Sequence, residues 1–356
     1  MESNYVYRPF NKPAFDVTGK TILITGGTGS FGHAFLEYIL THYNPKRIIV
    51  FSRDEFKQHQ MAIKFSTSKY PSIRFFIGDV RSYDRLEMAM RDVDFVVHAA
   101  AMKQVGAAEY NPLECVHTNI LGAENVIRSA MNRGVKQVIA LSTDKAANPI
   151  NLYGATKLAS DKIFINANYL SGAGGTRFSV VRYGNVAGSR GSVAQVFENI
   201  ISNGGLSLPI TDDKMTRFWM SITQAVSFVA SSFALMAGGE IFIPKIPSMS
   251  VIDLATAMAP SLKTHIIGKR AGEKLHETMI SLDDAYTTYD IGDRYVIESA
   301  LELPILSIKE RFLDQAKLVD SGFSYSSDTN SEWLDTSSIK ELMEVSSKTH
   351  DQTQEI

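Results

Sequence analysis

The sequence predicts an α/β chain: a Rossmann-type doubly wound parallel sheet with a smaller C-terminal α/β lobe. Two observations carry this expectation. Six short runs are apolar nearly throughout: "TILITG" (21–26), "RIIVFSR" (47–53), "RFFIGDV" (74–80), "DFVVHAA" (94–100), "QVIALST" (137–143) and "RFSVVRYGN" (177–185). Between them lie segments such as "FGHAFLEYILTHY" and "NILGAENVIRSAMNRG", with apolar residues three and four apart. Strands without a wet face, alternating with amphipathic helices, imply a parallel sheet covered on both sides.

The chain has 356 residues, 44% hydrophobic and 21% charged, enough for a large core and two lobes. A net charge of −2 without a dense Lys/Arg block argues against nucleic acid as a partner. The single cysteine, Cys115, excludes an intrachain disulfide and points to the reducing cytoplasm. No apolar run reaches the roughly 18 residues of a membrane span. The start, "MESNYVYRPFNKPAFDVTGK", lacks the basic and apolar regions of a signal peptide. It reads as an extension ahead of the fold, whose Tyr and Phe residues suggest packing, with a neighbouring subunit as the candidate surface.

After Asn185 the pattern changes. "VAGSRGSVAQVFENIISNGG" reads as a Gly/Ser loop and a helix, and "LPITDDKMTRFWMSI" as a short strand and loop. "AVSFVASSFALMAGGEIFI" reads as a buried helix followed by a strand. "SVIDLATAMAP" reads as a helix capped by Ser250. "HIIGKRAGEKLHETMI" reads as a strand, a basic glycine loop and another helix, and the polar end as one short helix and a disordered tail. The expected organisation is an extension at 1–17, a dinucleotide-binding domain at 18–190, a mainly substrate-binding lobe at 191–335 from which some elements return to the first domain, and a tail at 336–356.

The dinucleotide assignment comes from "TGGTGSFG", which follows the first strand and opens a helix. Gly26, Gly29 and Gly32, or alternatively Gly27, Gly29 and Gly32, allow close approach to a pyrophosphate, and the helix N-terminus offers free N–H groups. Thr28, Ser30 and Phe31 share that loop. At the second strand's end, where an acid usually holds the ribose of NAD, stand Ser52 and Arg53. A hydroxyl and a guanidinium suit the 2′-phosphate of NADP, with Lys57 one turn further on. Alternatively, Arg53 is a solvated surface residue and Asp54 holds a ribose. Asp79 and Val80 after the third strand, and Ala99, Ala100 and Ala101 after the fourth, complete the expected cofactor contacts.

Tyr153 and Lys157 are spaced i and i+4 and share a helix face. A free tyrosine has a pKa of about 10, and a neighbouring ammonium lowers it. Such a phenolate can take a proton from a hydroxyl while the carbon beneath gives hydride to a dinucleotide. Thr143 supplies a hydroxyl partner. Just before the pair stands an acid beside a base, Asp144 and Lys145, and a solvated charged loop is the plain alternative to a chemical role.

The stretches "TGGTGSFG", "SRDEFK", "HAAAMKQV", "EYNPLECVHTNILG", "LSTDKAANPINLYGATK", "VVRYGNVAGSRGSV" and "RAGEKLHE" resemble the extended short-chain dehydrogenase/reductase family, from Lys20 to about Trp333. Within it they look like the branch of inverting UDP-N-acetylglucosamine 4,6-dehydratases, which begin pseudaminic acid and related deoxy-amino-sugar pathways. The ends depart from that branch and leave subunit packing open.

The resemblance implies oxidation at C4 with Tyr153, Lys157 and Thr143, elimination of water across C5 and C6, and return of the same hydride to C6, with NADP staying bound. It implies Asp144 as the acid at C6 and Lys145 as the base at C5, where retaining dehydratases carry Asp-Glu. Those roles need a neutral lysine beside a protonated acid, which burial in a dry pocket favours. Candidates for holding UDP-N-acetylglucosamine are Lys103 and Asn185 at strand ends, Arg217 and Arg270 for the diphosphate, and Glu273 for a ribose hydroxyl. His98, His117 and His276 lack metal-ligand spacing, so no metal is expected. A homo-oligomer is implied, a hexamer by the resemblance, with a dimer also open. The rival readings are a retaining dehydratase or UDP-sugar 4-epimerase on the same fold, and a non-catalytic NADP-sensing protein.

Overall fold

The computed structural model describes residues 4–189, 191–301 and 306–351, with side chains to residue 343. Residues 1–3, the expected boundary residue 190 and the end of the tail, 352–356, lie outside the described residues.

Six parallel strands, β1 (Thr21–Thr25), β2 (Arg47–Ser52), β3 (Ile73–Ile77), β4 (Phe95–His98), β5 (Gln137–Thr143) and β6 (Arg177–Tyr183), lie where the apolar runs predict them. Their order is β3-β2-β1-β4-β5-β6. Seven helices are threaded among them: α1 (Ser30–His42), α2 (Glu55–Lys64), α3 (Tyr83–Ala89), α4 (Val105–Tyr110), α5 (Pro112–Val116), α6 (Gly122–Asn132) and α7 (Leu152–Ser171). A π turn, His117–Leu121, joins α5 to α6. The sheet does not stop at β6. Ile241–Pro244 adds in parallel to β6, then Arg294–Ile297, Thr288–Asp290 and Lys317–Leu318 follow antiparallel.

Beyond this sheet a second core forms around Phe197, Trp219, Met249 and Leu254. It carries the three-stranded sheet of Asn185–Val186, Thr216–Met220 and Ser248–Ser250. The helix Val251–Met258 begins at Ser250, whose hydroxyl accepts from Asp253 N–H at 3.0 Å.

Three expectations change. The helix predicted at the end of "GEKLHETMI" is instead a strand, Thr278–Ile280, paired antiparallel with Tyr325–Ser326. Tertiary pairing overrides an apolar spacing that mimics a helix turn. The N-terminal extension is not separate from the fold: Phe10 and Phe15 are buried in the chain's own core, whereas Tyr7 is exposed. Phe10 meets Phe228 at 5.1 Å, and Phe15 lies between Phe95 at 4.8 Å and Phe233 at 4.6 Å. Burying such rings is worth far more than solvating them. The C-terminal helix, Thr336–Asp351, is not a short appendage, because Ile339 and Met343, spaced i and i+4, are buried in the second core.

Two outcomes follow from this packing. Phe15→Ala lowers unfolding stability by ~3–5 kcal/mol in urea titration, because it empties a ring-lined site. A Cβ at Gly154, on α7, would sit 2.2 Å from the Lys145 carbonyl oxygen. Gly154→Ala therefore costs at least ~1–3 kcal/mol in the same titration, as overpacking does; wild-type stability would mean that α7 stands clear of that turn.

Candidate active site

The strand order reverses between β1 and β4, which opens a crevice at their C-terminal ends. Gly26 ends β1 with φ +65°, and a Cβ there would lie 2.8 Å from Ala100 Cα, so only glycine lets the two strand ends close up. A Cβ at Gly32 would lie 2.1 Å from the Gly27 carbonyl oxygen, which keeps the first turn of α1 tight against the loop. The N-cap of α1, Gly29, contributes no side chain, and no acid lies in its first turn. The helix thus presents bare N–H groups to the crevice, a fit for a pyrophosphate. Thr28 Oγ1 shares a 2.8 Å hydrogen bond with Ser52 Oγ, which ties this loop to the end of β2. Ser30 and Phe31 line the first turn of α1, and the Phe31 ring stacks on Phe35.

At the rim, Arg53 is 68% exposed and lies 3.7 Å from Asp79. Asp79 also pairs with Arg81 at 2.7 Å. Burial raises the Asp79 carboxyl, but Arg81 and Arg53 outweigh it and hold the group below its ordinary value. Asp54 caps α2 by accepting from Lys57 N–H at 3.0 Å, and its other oxygen pairs with the Lys57 ammonium at 3.0 Å. It is therefore spent on the helix. Val80 is buried, Ala99 and Ala100 are half-buried, and Ala101 is exposed beyond β4.

Tyr153 and Lys157 lie in the first turns of α7, both buried. Asn151 starts that helix by accepting from Gly154 N–H at 2.7 Å. Lys157 Nζ donates to the Leu141 carbonyl at 2.7 Å; burial lowers its pKa while Asp161 pulls it back. Burial pushes the Tyr153 phenol up to about 12, against the pull of Lys145 and a hydrogen bond with Thr143. The Thr143 hydroxyl also donates to Asp144 Oδ1 at 2.9 Å. One threonine therefore joins the phenol to the carboxylate.

Asp144 and Lys145 form the turn after β5, and Asp144 is 1% exposed. Lys145 Nζ lies 3.0 Å from Asp144 Oδ1 and 3.0 Å from Glu277 Oε1. Burial alone would lower the lysine, but Asp144 and Glu277 outweigh it and hold the amine above its ordinary value. The expectation of an uncharged lysine made so by desolvation is thus corrected. In this geometry the two acids 3.0 Å from Lys145 Nζ favour its protonated form, and burial does not win because it is shared with them.

Sequence reasoning missed two residues here. Glu277 looked like one more acid in "LHETMI", with no local pattern to distinguish it. Asn119 sits in the π turn, where its Oδ1 accepts from Met102 N–H at 2.8 Å and its Nδ2 donates to Met102 O at 2.9 Å and to Thr156 Oγ1 at 3.0 Å. It fixes the loop after β4 against α7.

The substrate candidates divide. Residues 270–277 run alongside the Asp144–Lys145 turn, held by Asn151 Nδ2 donating to Gly272 O at 2.7 Å and Lys274 Nζ to Ala147 O at 2.7 Å. Arg270, exposed, and Glu273 are on this strap and pair with each other at 3.9 Å. Lys103 is exposed on the loop after β4, and Asn185 is half-buried on a strand paired with Trp219. Arg217 is turned inward. Its Nη1 donates to the Thr216 and Leu275 carbonyls, its Nη2 to Lys274 O and Met215 Sδ, and its Nε lies 3.9 Å from Glu277. A diphosphate would reach this guanidinium only by displacing one of those partners. His98 and His276 are each held by a threonine hydroxyl, Thr25 and Thr216.

The model of the family described as polysaccharide biosynthesis protein matches residues 22–299. A relative named UDP-N-acetylglucosamine 4,6-dehydratase (inverting), from Campylobacter jejuni strain 81-176, is 55% identical over 334 residues, 92% of this chain and 97% of that protein. One named UDP-glucose 4-epimerase, from Rickettsia akari, is 41% identical over 91% of this chain and 95% of that protein. The crystal structure of Pen from Bacillus thuringiensis superposes with a TM-score of 0.83 at 36% identity, over 94% of this chain and 99% of that one. With its glycine loop at the sheet's switch point and its Tyr-x-x-x-Lys helix, the chain belongs to the polysaccharide biosynthesis protein family, on the extended short-chain dehydrogenase/reductase scaffold.

Proposed function

We infer that this chain is a UDP-N-acetylglucosamine 4,6-dehydratase with inversion at C5, a hydro-lyase giving UDP-2-acetamido-2,6-dideoxy-β-L-arabino-hex-4-ulose. The observation that carries the reading is the Asp144–Lys145 pair, linked through one hydroxyl to Tyr153, in a chain 55% identical to a relative of that name. The product is a precursor for pseudaminic acid or related deoxy-amino sugars. We place the enzyme in the cytoplasm as a homo-oligomer, from its single cysteine and its family resemblance.

Bound in the crevice, an oxidised dinucleotide supplies the hydride acceptor for C4 and the hydride later returned to C6. The residues do the rest. Tyr153 takes the proton of the C4 hydroxyl, with Lys157 and Lys145 favouring the phenolate. The C4 ketone acidifies C5, and Lys145, having passed a proton to Asp144, takes the C5 proton as a neutral amine. Asp144 gives its proton to the leaving C6 hydroxyl, so that bond breaks with water as the product. Lys145 then protonates C5 from the opposite face. The proton held on Tyr153 returns to Asp144 through the Thr143 hydroxyl that bonds both, which resets acid and base together.

A 4-epimerase needs only the redox pair, and a retaining dehydratase carries Asp-Glu in place of Asp-Lys. An NADP-sensing protein has no use for the Thr-Asp-Lys turn. NADP is the favoured dinucleotide because Ser52 and exposed Arg53 occupy the end of β2, while Asp54 is engaged as a cap.

Incubation with UDP-N-acetylglucosamine in heavy water, followed by NMR, gives loss of water, deuterium at C5 and the L-arabino configuration; a 4-epimer or unchanged sugar refutes the reading. Lys145→Ala stops dehydration and leaves cofactor bound, and wild-type turnover would clear the lysine of any role. Arg53→Ala weakens NADP binding by about tenfold, as loss of a charge-assisted phosphate contact does, while NAD titration stays unchanged; equal loss for both cofactors would remove the 2′-phosphate assignment.

A further inference from the structure

Glu277 plays no part in the steps above, yet it is 1% exposed and touches the reacting lysine. Its Oε2 has no hydrogen-bond partner, and Asp144 Oδ2 is equally without one. Around the carboxylate stand three cations: Lys145 Nζ at 3.0 Å, Arg217 Nε at 3.9 Å and Lys274 Nζ at 3.9 Å. Its backbone is pinned on both sides. Glu277 N–H donates to Ser327 Oγ at 2.9 Å, and its carbonyl accepts from Ser327 N–H at 2.8 Å. Two residues on, the Met279 carbonyl accepts from buried Arg182 at 2.9 Å. A buried carboxylate without counter-charge is costly, so its company is informative.

The charges matter when the proton moves. Passing it from Lys145 to Asp144 breaks an N–H bond and forms an O–H bond, and it extinguishes one cation and one anion together. Glu277 keeps Arg217 and Lys274 as counter-charges, so it need not be protonated when Lys145 becomes neutral. An amine that still donates one N–H to a fixed carboxylate has its lone pair directed; one without such an anchor rotates freely.

We propose that Glu277 is the positioning residue of the C5 proton transfer: it holds one N–H of the Lys145 amino group, so that when the amine turns away from the newly protonated Asp144 its lone pair goes to the crevice and not to Glu277. The inference rests on Lys145 as the C5 base. Asp144, Glu277, Arg217 and Tyr153 face the Lys145 amine, and Lys274 faces the far oxygen of Glu277. Removing the Glu277 charge therefore takes away one of two anions that favour the ammonium.

The test uses the full-length holoenzyme with UDP-N-acetylglucosamine in heavy water and reads deuterium incorporation at C5 against pH, alongside C4 oxidation followed by cofactor absorbance. In Glu277→Gln, C5 exchange falls by about tenfold or more, as lost orientation does, while C4 oxidation is retained. The rising limb of the exchange profile moves to lower pH, because the ammonium has lost an anionic partner. Glu277→Asp, which keeps the charge but withdraws it, lowers the rate with the limb unmoved. Wild-type exchange in Glu277→Gln, or slowed exchange with an unmoved limb, overturns the proposal. If Glu277→Gln fails to bind cofactor or to fold, Glu277→Asp decides, and a wild-type rate there overturns it. Lys145→Ala separates the two levels: wild-type C5 exchange in that variant removes the base assignment itself, whereas lost exchange beside an unaffected Glu277→Gln removes only the role of Glu277.

Discussion

The arrangement around the crevice depends on one ionic contact, the Lys145 ammonium held between Asp144 and Glu277 at 3.0 Å each. Charges taken out of water are tolerated only when they face one another with good geometry. Here the two carboxylates come from different parts of the chain. Asp144 belongs to the turn after β5, and Glu277 leads into the strand Thr278–Ile280, whose Met279 and Ile280 are buried in the main core. Satisfying the lysine therefore ties together two segments remote in sequence, and the strap of residues 270–277 follows, bonded to Asn151 and Ala147. The candidate ligands Arg270 and Glu273 ride on this strap, so they share one anchorage with the Asp144–Lys145 turn.

A second constraint acts at the other side of the crevice. The strand-order reversal leaves room for a ligand only where β1 and β4 part, yet their ends must still approach within van der Waals distance. Gly26 allows this, and Gly32 lets the first turn of α1 close on the loop, so the helix points its open N–H groups inward. Helix α7 presents the same device, with Gly154 lying directly against the Lys145 carbonyl. In both places a missing side chain allows a helix to sit close enough to its turn to hold functional groups in fixed relation. The chemistry then reads as a relay: Tyr153, Thr143 and Asp144 are connected oxygen to oxygen, with Lys145 bonded to the last of them.

Patterns that repeat over a few residues were readable directly. Continuous apolar runs marked the six parallel strands, glycine spacing marked the phosphate loop, and the i, i+4 spacing of Tyr153 and Lys157 placed both on one face of α7. Each arises from backbone geometry repeating along the chain, so neighbouring residues suffice to express it. The N-terminal aromatics were visible as residues that pack on something, but the partners of Phe10 and Phe15, namely Phe228, Phe95 and Phe233, were not. Composition states how strongly a ring avoids water and is silent on which surface receives it.

What only the tertiary structure decided is every feature that joins distant segments. Local spacing suggested a helix at Thr278–Ile280, and pairing with Tyr325–Ser326 made it a strand. Arg217, by type a phosphate ligand, is directed at the carbonyls of Thr216, Lys274 and Leu275. Lys145 and Asp144 were legible as an acid and a base side by side, but the upward shift of the lysine was not, because Glu277, remote in the chain, adds to the pull of Asp144 and an ionisable group responds to every charge around it in space.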